Sequence, residues 1–395
     1  MEREQGPLGR IFSAAQVRWS EVDWHVLLVA MILLGIGLTF QWAMDDAEGE
    51  ALRLAGGVNF AGHRQKVLLT LPLILVGMIT RPGWLRRHAG TIYAGCIALL
   101  VAVIFIGDER NNARRWIQLK AFDLQPSELV KIGLVLVLAR ILASNRLESP
   151  RQWVLPLAAA GLPMLLVAGQ PDLGTAMTMV PVTLGMLYLA GARARHLTGL
   201  VLAGVLLAGA GSQLGMVQEY QWKRIETWAA TYEPEGLLAI KTGSGYHMYH
   251  SRTPIGNGGM WGQGLGRGVA NGAGLLPERD SDSVFAVIAE EGGFFGAAGV
   301  LVIYTLLVLL LMSSAARLRD RFGRLVLGGI AIYFAAHVFI HVSTNIGLLP
   351  MTGLTLPLIS TGGSSLLATF WALGLALGLG CHHETRLDSD AFRSF

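Results

Sequence analysis

Along this chain, runs with no Asp, Glu, Lys or Arg recur at 25–44, 89–107, 153–171, 173–192, 196–218, 292–316 and 325–380. A helix crossing a bilayer needs roughly 20 predominantly apolar residues, and hydrocarbon offers no partner to an open backbone. The last run is long enough for two spans, divided near Gly347-Leu348-Leu349-Pro350. Two weaker candidates are 67–80, which ends at Arg81, and 124–142, which carries Glu128, Lys131 and Arg140. The expected fold is all-α, a polytopic membrane protein of about ten transmembrane helices. Composition agrees: 52% hydrophobic, 15% charged and 50 glycines in 395 residues lie outside the range of soluble domains.

Positive charge in short loops marks the cytoplasmic side. Arg3, Arg10 and Arg18, the tracts 81–87, 140–151, 193–195 and 317–324, and the C-terminal tail all fall on one side. Both termini are therefore expected in the cytoplasm, as tails 1–24 and 381–395 around a transmembrane domain 25–380. The outside receives 45–64, 108–123, the turn Gln170-Pro171, Leu348–Pro350, and a long loop, 219–282, between helices 7 and 8. Loop 108–123 breaks the charge rule with Arg110, Arg114, Arg115 and Lys120, which points to a function for those cations. Cytoplasmic arginines account for the net charge of +4, so nothing calls for nucleic acid. Met1–Asp23 is polar and the first apolar run is long enough to be retained, so no cleavable leader is expected. Cys96 and Cys381 have no spacing that supports a disulfide.

The loop 219–282 divides by composition. An amphipathic helix is expected around Tyr220–Ile225, within 219–242. Residues 243–274 hold eleven glycines interleaved with Tyr246, His247, Tyr249, His250, Arg252, Trp261 and Arg267. Such a stretch reads either as a linker or as a folded loop whose amides approach an anion. It ends in LLPERDSDSVFAVIAEEGG, 275–293, with five carboxylates in nineteen positions at the mouth of an apolar run.

That stretch resembles the LPE-x-x-x-D-F-I-F-A-V-I-x-E-E-x-G motif of the SEDS family, the RodA, FtsW and SpoVE type peptidoglycan polymerases. RRWIQLKAFDLQPSELVKI (114–132), QPDLGTA (170–176), GYHMYHSRTPIGNGGMWGQGLGRG (245–268) and NIGLLPMTGLTLPLISTGGSSLL (345–367) agree in order and spacing. The form GYHMYHSR resembles the RodA branch. The chain departs from the family pattern with Asp280 in place of histidine, Ser283 in place of phenylalanine and Thr361 in place of tyrosine.

The resemblance implies a polymerase of lipid II, the disaccharide-pentapeptide on undecaprenyl pyrophosphate, that builds glycan strands for elongation and rod shape. In that reaction a sugar 4-hydroxyl attacks an anomeric carbon and expels a lipid pyrophosphate. The attacking alcohol needs a base, whereas the leaving anion needs positive charge more than a proton. Asp282, the motif aspartate, is the candidate base; its competing reading is a helix N-cap. Candidate substrate-binding residues are Arg114, Arg115, Trp116, Lys120, Lys223, Arg224, Arg252 and Glu278, since guanidinium forks suit phosphate oxygens and an indole stacks on a sugar or anchors at the interface. Glu278 is read equally as a cation ligand, a partner orienting Arg279, or a solvated turn residue. Structural polar roles are expected for Glu128 and Lys131, three apart on one helix face, and for Asp172, Glu290, Glu291, Ser364 and Ser365. No cofactor is certain; a divalent cation, Mg or Mn, held by carboxylates and pyrophosphate would suit the same charge, and no His/Cys ligand spacing is present.

Two other readings stay open. A lipid II flippase or transporter would line both leaflets with polar residues, whereas the polar motifs crowd the outer side. An FtsW-type division polymerase would share the chemistry. The expected location is the bacterial cytoplasmic (inner) membrane with the site outside. The expected partners are lipid II, membrane lipids and, from the resemblance, a class B penicillin-binding protein carrying the transpeptidase. Its contact is expected on one of the small-residue spans, 292–300 or 366–380, where close packing replaces a hydrophobic drive that lipid cannot supply.

Overall fold

The computed structural model describes residues 18–47, 57–110, 113–119, 123–213, 219–232 and 245–381. The fold is helical. In chain order the helices are α1 (Trp24–Ala47), α2 (Phe60–Thr70), α3 (Pro72–Ile79), α4 (Pro82–Ile106), α5 (Pro126–Ala143), α6 (Pro150–Gly169), α7 (Leu173–Leu189), α8 (Ala194–Gln213), α9 (Glu219–Ala230), α10 (Tyr246–Asn257), α11 (Val269–Gly272), α12 (Val284–Arg317), α13 (Arg321–Asn345) and α14 (Gly363–Cys381). Six of them, α1, α4, α6, α12, α13 and α14, are long and apolar enough to cross a membrane.

Burial separates the helices into two classes. α5, α13 and α14 bury almost every residue and form the centre of the bundle. Leu155 and Leu165 on α6, and Leu202, Val205, Leu206 and Leu207 on α8, are exposed. In water such surfaces would associate; in a bilayer they meet lipid tails of the same polarity. α14 lies against α3 at a crossing of small residues, where a methyl on Gly77 would come within 2.7 Å of Gly374 and one on Gly378 within 2.7 Å of Met78 O. The small-residue face of 366–380 is therefore spent inside this chain, which leaves 292–300 of the two spans expected to receive a partner. On the span 292–300, Phe294 and Phe295 are exposed and Gly299 faces open space.

Element boundaries differ from the sequence expectation in two instructive places. The charge-free run begins at Gly292, but α12 starts at Val284, because the acidic motif itself winds into helix. Gly293, with φ 66 and ψ −166, then breaks it. A side chain at Gly293 would collide with Met260 O and Trp261, so the loop before the motif packs into the kink. The long apolar run 325–380 is interrupted by non-helical backbone over 346–362, a much longer break than the Gly347–Pro350 turn suggested. Pro72 divides the weak span 67–80 between α2 and α3.

Loop 108–123 adds the sole sheet among the described residues, three antiparallel strands β1 (Asp108–Arg110), β2 (Ala113–Gln118) and β3 (Asp123–Leu124). Its register sets Glu109 opposite Arg114 and Asp108 opposite Trp116. The glycine-rich segment is folded from Gly245 onward. The helix expected around Tyr220–Ile225 is α9. Both cysteines are free and buried.

Candidate active site

The acidic motif reaches α12 through a tight turn. Glu278 stands at φ 45, and its carbonyl accepts the amides of Ser281 and Ser283 at 3.1 and 3.0 Å. The carbonyls of Asp280, Ser281 and Asp282 are each taken by a group from another element. Asp280 O accepts Gln41 Nε2 of α1 and the Thr361 amide, both at 2.8 Å; Ser281 O accepts Ser360 Oγ at 2.6 Å; Asp282 O accepts Asn345 Nδ2 of α13 at 3.0 Å. Buried backbone groups need such partners, and here they come from three directions, so the turn has little freedom left.

Two of the unusual residues meet partners of matching size. Thr361 Oγ1 donates to Asp280 Oδ2 at 2.7 Å. The buried Ser283 hydroxyl lies 2.9 Å from His247 Nε2 and 3.2 Å from Ser251 Oγ, tying the turn to α10. Burial, aided by Arg224, lowers His247 to about 4, so its ring is neutral at physiological pH. Ser283, not Asp282, occupies the N-cap of α12, and it makes no side-chain cap bond.

Asp282 itself is partly buried, and its carboxylate makes no hydrogen bond among the described residues. Burial foremost, then Glu278, Asp280 and Asp172, raise it to about 7, against a smaller opposing effect of Arg224. A carboxylate desolvated among like charges holds its proton near neutrality, the range in which a general base works best. Glu278 accepts Ser281 Oγ at 3.2 Å.

The cations divide by how occupied they are. Arg115 is turned inward, donating from Nε to Gln170 O at 2.7 Å and from Nη2 to Pro171 O, with its guanidinium 6.0 Å from the Trp116 ring. Arg252 donates to Gly347 O at 2.7 Å and lies 5.7 Å over the Tyr232 ring; Trp228 and Tyr232 share that carbonyl at 3.0 Å each. Arg114 faces Glu109 at 3.4 Å on the exposed hairpin. Lys223 and Arg224 are exposed on α9, Arg224 reaching Met351 O at 3.4 Å. Lys120 lies outside the described residues.

The remaining polar residues hold backbone. Asp172 caps α7 through the Thr175 amide at 3.2 Å and accepts Gln125 Nε2 at 3.1 Å. Ser364 joins the Gln125 amide at 2.7 Å to Asp123 O at 2.6 Å, and Ser365 accepts Thr355 Oγ1 at 2.9 Å. Glu290 accepts the amides of Ala270 and Asn271 at 3.0 and 3.4 Å; Glu291 accepts the Gly266 amide and Asn271 Nδ2, both at 3.0 Å. Arg279 reaches Asn271 O and Oδ1 at 2.7 and 2.9 Å, completing that cluster. In the bundle centre Lys131 Nζ lies 2.8 Å from Glu128 Oε1 and 2.7 Å from His337 Nε2. An ammonium only donates, so His337 Nε2 accepts and its Nδ1–H donates to Tyr333 O at 3.0 Å.

Sequence reasoning passed over Gln41, His337, His341 and Asn345, and named His247 only as one of the residues interleaved in the glycine-rich loop. A signal was present for three of them: His337, His341 and Asn345 recur every fourth residue, one polar stripe on an otherwise apolar helix. Among the described residues no three of His, Cys, Asp and Glu converge closely enough to hold a metal ion by themselves.

A family model described as a cell cycle protein, FTSW_RODA_SPOVE, matches residues 23–385. The chain is 34% identical over 392 residues to a probable peptidoglycan glycosyltransferase FtsW of Tolumonas auensis, covering 95% of this chain and 97% of that one. It is 35% identical over 375 residues to the peptidoglycan glycosyltransferase MrdB of Escherichia coli K12, covering 93% and 96%. Among solved structures it is similar to a chain described under "Structural coordination of polymerization and crosslinking by a peptidoglycan synthase complex" (TM-score 0.76, 28% identity, 92% and 98% covered). It is also similar to the rod shape determining protein RodA of Thermus thermophilus (TM-score 0.68, 27% identity, 93% and 99% covered). Agreement over nearly the whole length, in sequence and in fold, places this chain in the FtsW, RodA and SpoVE family of SEDS proteins.

Proposed function

We infer that this chain is a peptidoglycan glycosyltransferase that polymerises lipid II into glycan strands at the outer face of the bacterial cytoplasmic membrane. The observation that carries the reading is Asp282, a carboxylate raised to about 7, with no hydrogen-bond partner among the described residues, on a turn held by other elements. In the proposed reaction the 4-hydroxyl oxygen of the acceptor bonds to the anomeric carbon of the lipid-linked sugar. Its proton passes to Asp282, and the carbon–oxygen bond to pyrophosphate breaks with its electron pair remaining on the leaving anion. Lys223, Arg224 and Arg114 are exposed and would face that anion, whereas Arg115 and Arg252 shape the walls through the carbonyls they hold. A divalent ion, Mg or Mn, would be held by the pyrophosphate together with carboxylates of the site and would supply positive charge to the leaving anion. Glycan-strand formation from purified lipid II, by the wild type and by Asp282→Asn, is the test; equal rates would end the assignment.

The finer readings belong to the same proposal. The GYHMYHSR stretch favours elongation and rod shape, so depletion should give rounded cells, and filaments would instead mark the division branch. The partner is a class B penicillin-binding protein, and the outer half of α12, with exposed Phe294 and Phe295 and the open face of Gly299, is where its membrane helix is placed. Bulky substitution at Gly299 should break the complex; an intact complex would move the interface elsewhere.

A further inference from the structure

We propose that His341 and Asn345, one turn apart on α13, are positioning residues that fix both the turn carrying Asp282 and the wall facing its carboxylate. The proposal rests on the reading of Asp282 as the base. Asn345 Nδ2 donates to Asp282 O at 3.0 Å and to His341 O at 2.9 Å. His341 Nδ1 lies 2.6 Å from Leu354 O, and since a carbonyl only accepts, that nitrogen carries the hydrogen. Leu354 follows Gly353, which stands at φ 72 directly against the base: a methyl there would lie 3.3 Å from Asp282 Oδ2. On its other face the same loop is wedged against α7, where a side chain at Gly174 would run into Thr352 O. A single helix therefore holds the base by one side chain and the wall of its site by another, four residues away. Distance between them is set by helix geometry rather than by a loop.

Both residues are fully buried, so neither meets substrate. Each also leaves an acceptor, His341 Nε2 and Asn345 Oδ1, buried without a partner among the described residues. Buried polar atoms in a folded protein are normally satisfied, and exceptions gather where function requires the residue. An apolar helix face would pack α13 without either group. Their work is done by the nitrogens that reach Asp282 and Leu354.

The groups facing Asp282 are Glu278 and Asp280 from its own turn, Asp172 from α7 and Arg224 from α9. Loosening the wall admits water to Asp282, so its proton affinity, raised chiefly by burial, should fall. In the full-length chain with purified lipid II, Asn345→Ala and His341→Leu should lower kcat by about 10- to 100-fold, the scale of a small misplacement of a reacting group. KM should stay close to the wild-type value, and the acid limb of kcat/KM should move to lower pH. His341→Asn, whose amide nitrogen takes the place of Nδ1, should restore both kcat and the limb. Asn345→Ser, too short to reach Asp282 O, serves where His341→Leu does not fold. Wild-type kcat and an unmoved acid limb in these variants, with Asp282→Asn inactive, would overturn the positioning role and leave the base in place. A lowered kcat with an unmoved limb and no rescue by His341→Asn would overturn it too, as a structural effect only. Full activity of Asp282→Asn would instead remove the base reading on which the proposal stands.

Discussion

The two ends of the acidic motif contrast sharply. Glu290 and Glu291, on the first turns of α12, spend their carboxylates on loop amides of Gly266, Ala270 and Asn271. Asp282, two helical turns earlier, has its backbone carbonyl bound and its carboxylate unbonded among the described residues. Charge alone does not distinguish these residues, since all lie near other carboxylates. Hydrogen bonding does: a satisfied carboxylate is a strut for a glycine-rich loop, while an unsatisfied, desolvated one suits the role of base proposed for Asp282. The density of acidic residues at the mouth of a membrane helix is thus two unlike devices placed side by side.

The contrast is most exposed at Asp282. Asp282→Asn keeps size and removes the proposed base, and should lower polymerisation by about 10²- to 10⁴-fold while leaving the protein folded, as read by strand synthesis and by thermal unfolding. The wild-type rate should also fall as pH drops through about 7, because the proton taken up there is the one the base must be free to accept. A flat profile between pH 6 and 8 would break the distinction.

At the other end the effect should appear as stability first. Glu290→Leu leaves the Ala270 and Asn271 amides buried without their acceptor, at a cost of about 1–3 kcal/mol for each group left unpaired. Expression and thermal stability should drop, with activity falling in proportion to folded protein. A fully stable but inactive Glu290→Leu would place this residue in the chemistry instead.

Smaller effects sharpen the comparison among cations. Arg115→Ala should impair lipid II use by about tenfold, the scale of losing a hydrogen bond from a charged group, through release of the Gln170–Pro171 turn. Arg319→Ala, on the side expected from its charge to face the cytoplasm, should have little effect; equal losses would mean the outer loop is not involved. A further effect is expected in unfolding. The folded carboxyl at about 7 stands above its ordinary 3.8, so its contribution is fully present below the ordinary range and is lost as pH rises through 7. Asp282→Asn should therefore be more thermally stable than wild type at pH 8, with the order reversed or level at pH 4. The same order at both pH values would argue against a raised carboxyl.

The sequence by itself determined the helical membrane fold, since runs free of charge leave a chain no other way to satisfy its backbone in lipid. It also singled out the Lys131–Glu128 pair, because spacing along one helix is a local property, and, through the motif it shares with the SEDS family, Asp282, Glu290 and Glu291. Only the tertiary structure decided what each carboxylate does, because the groups that satisfy or spare it come from far along the chain: Gln41 from α1, Asn345 from α13, Ser360 and Thr361 from the break before α14. It decided as well that 366–380 is interior. A stripe of glycines looks the same in sequence whether it meets a partner or, as here, the backbone of α3 at Gly77, since small residues record only that something comes close.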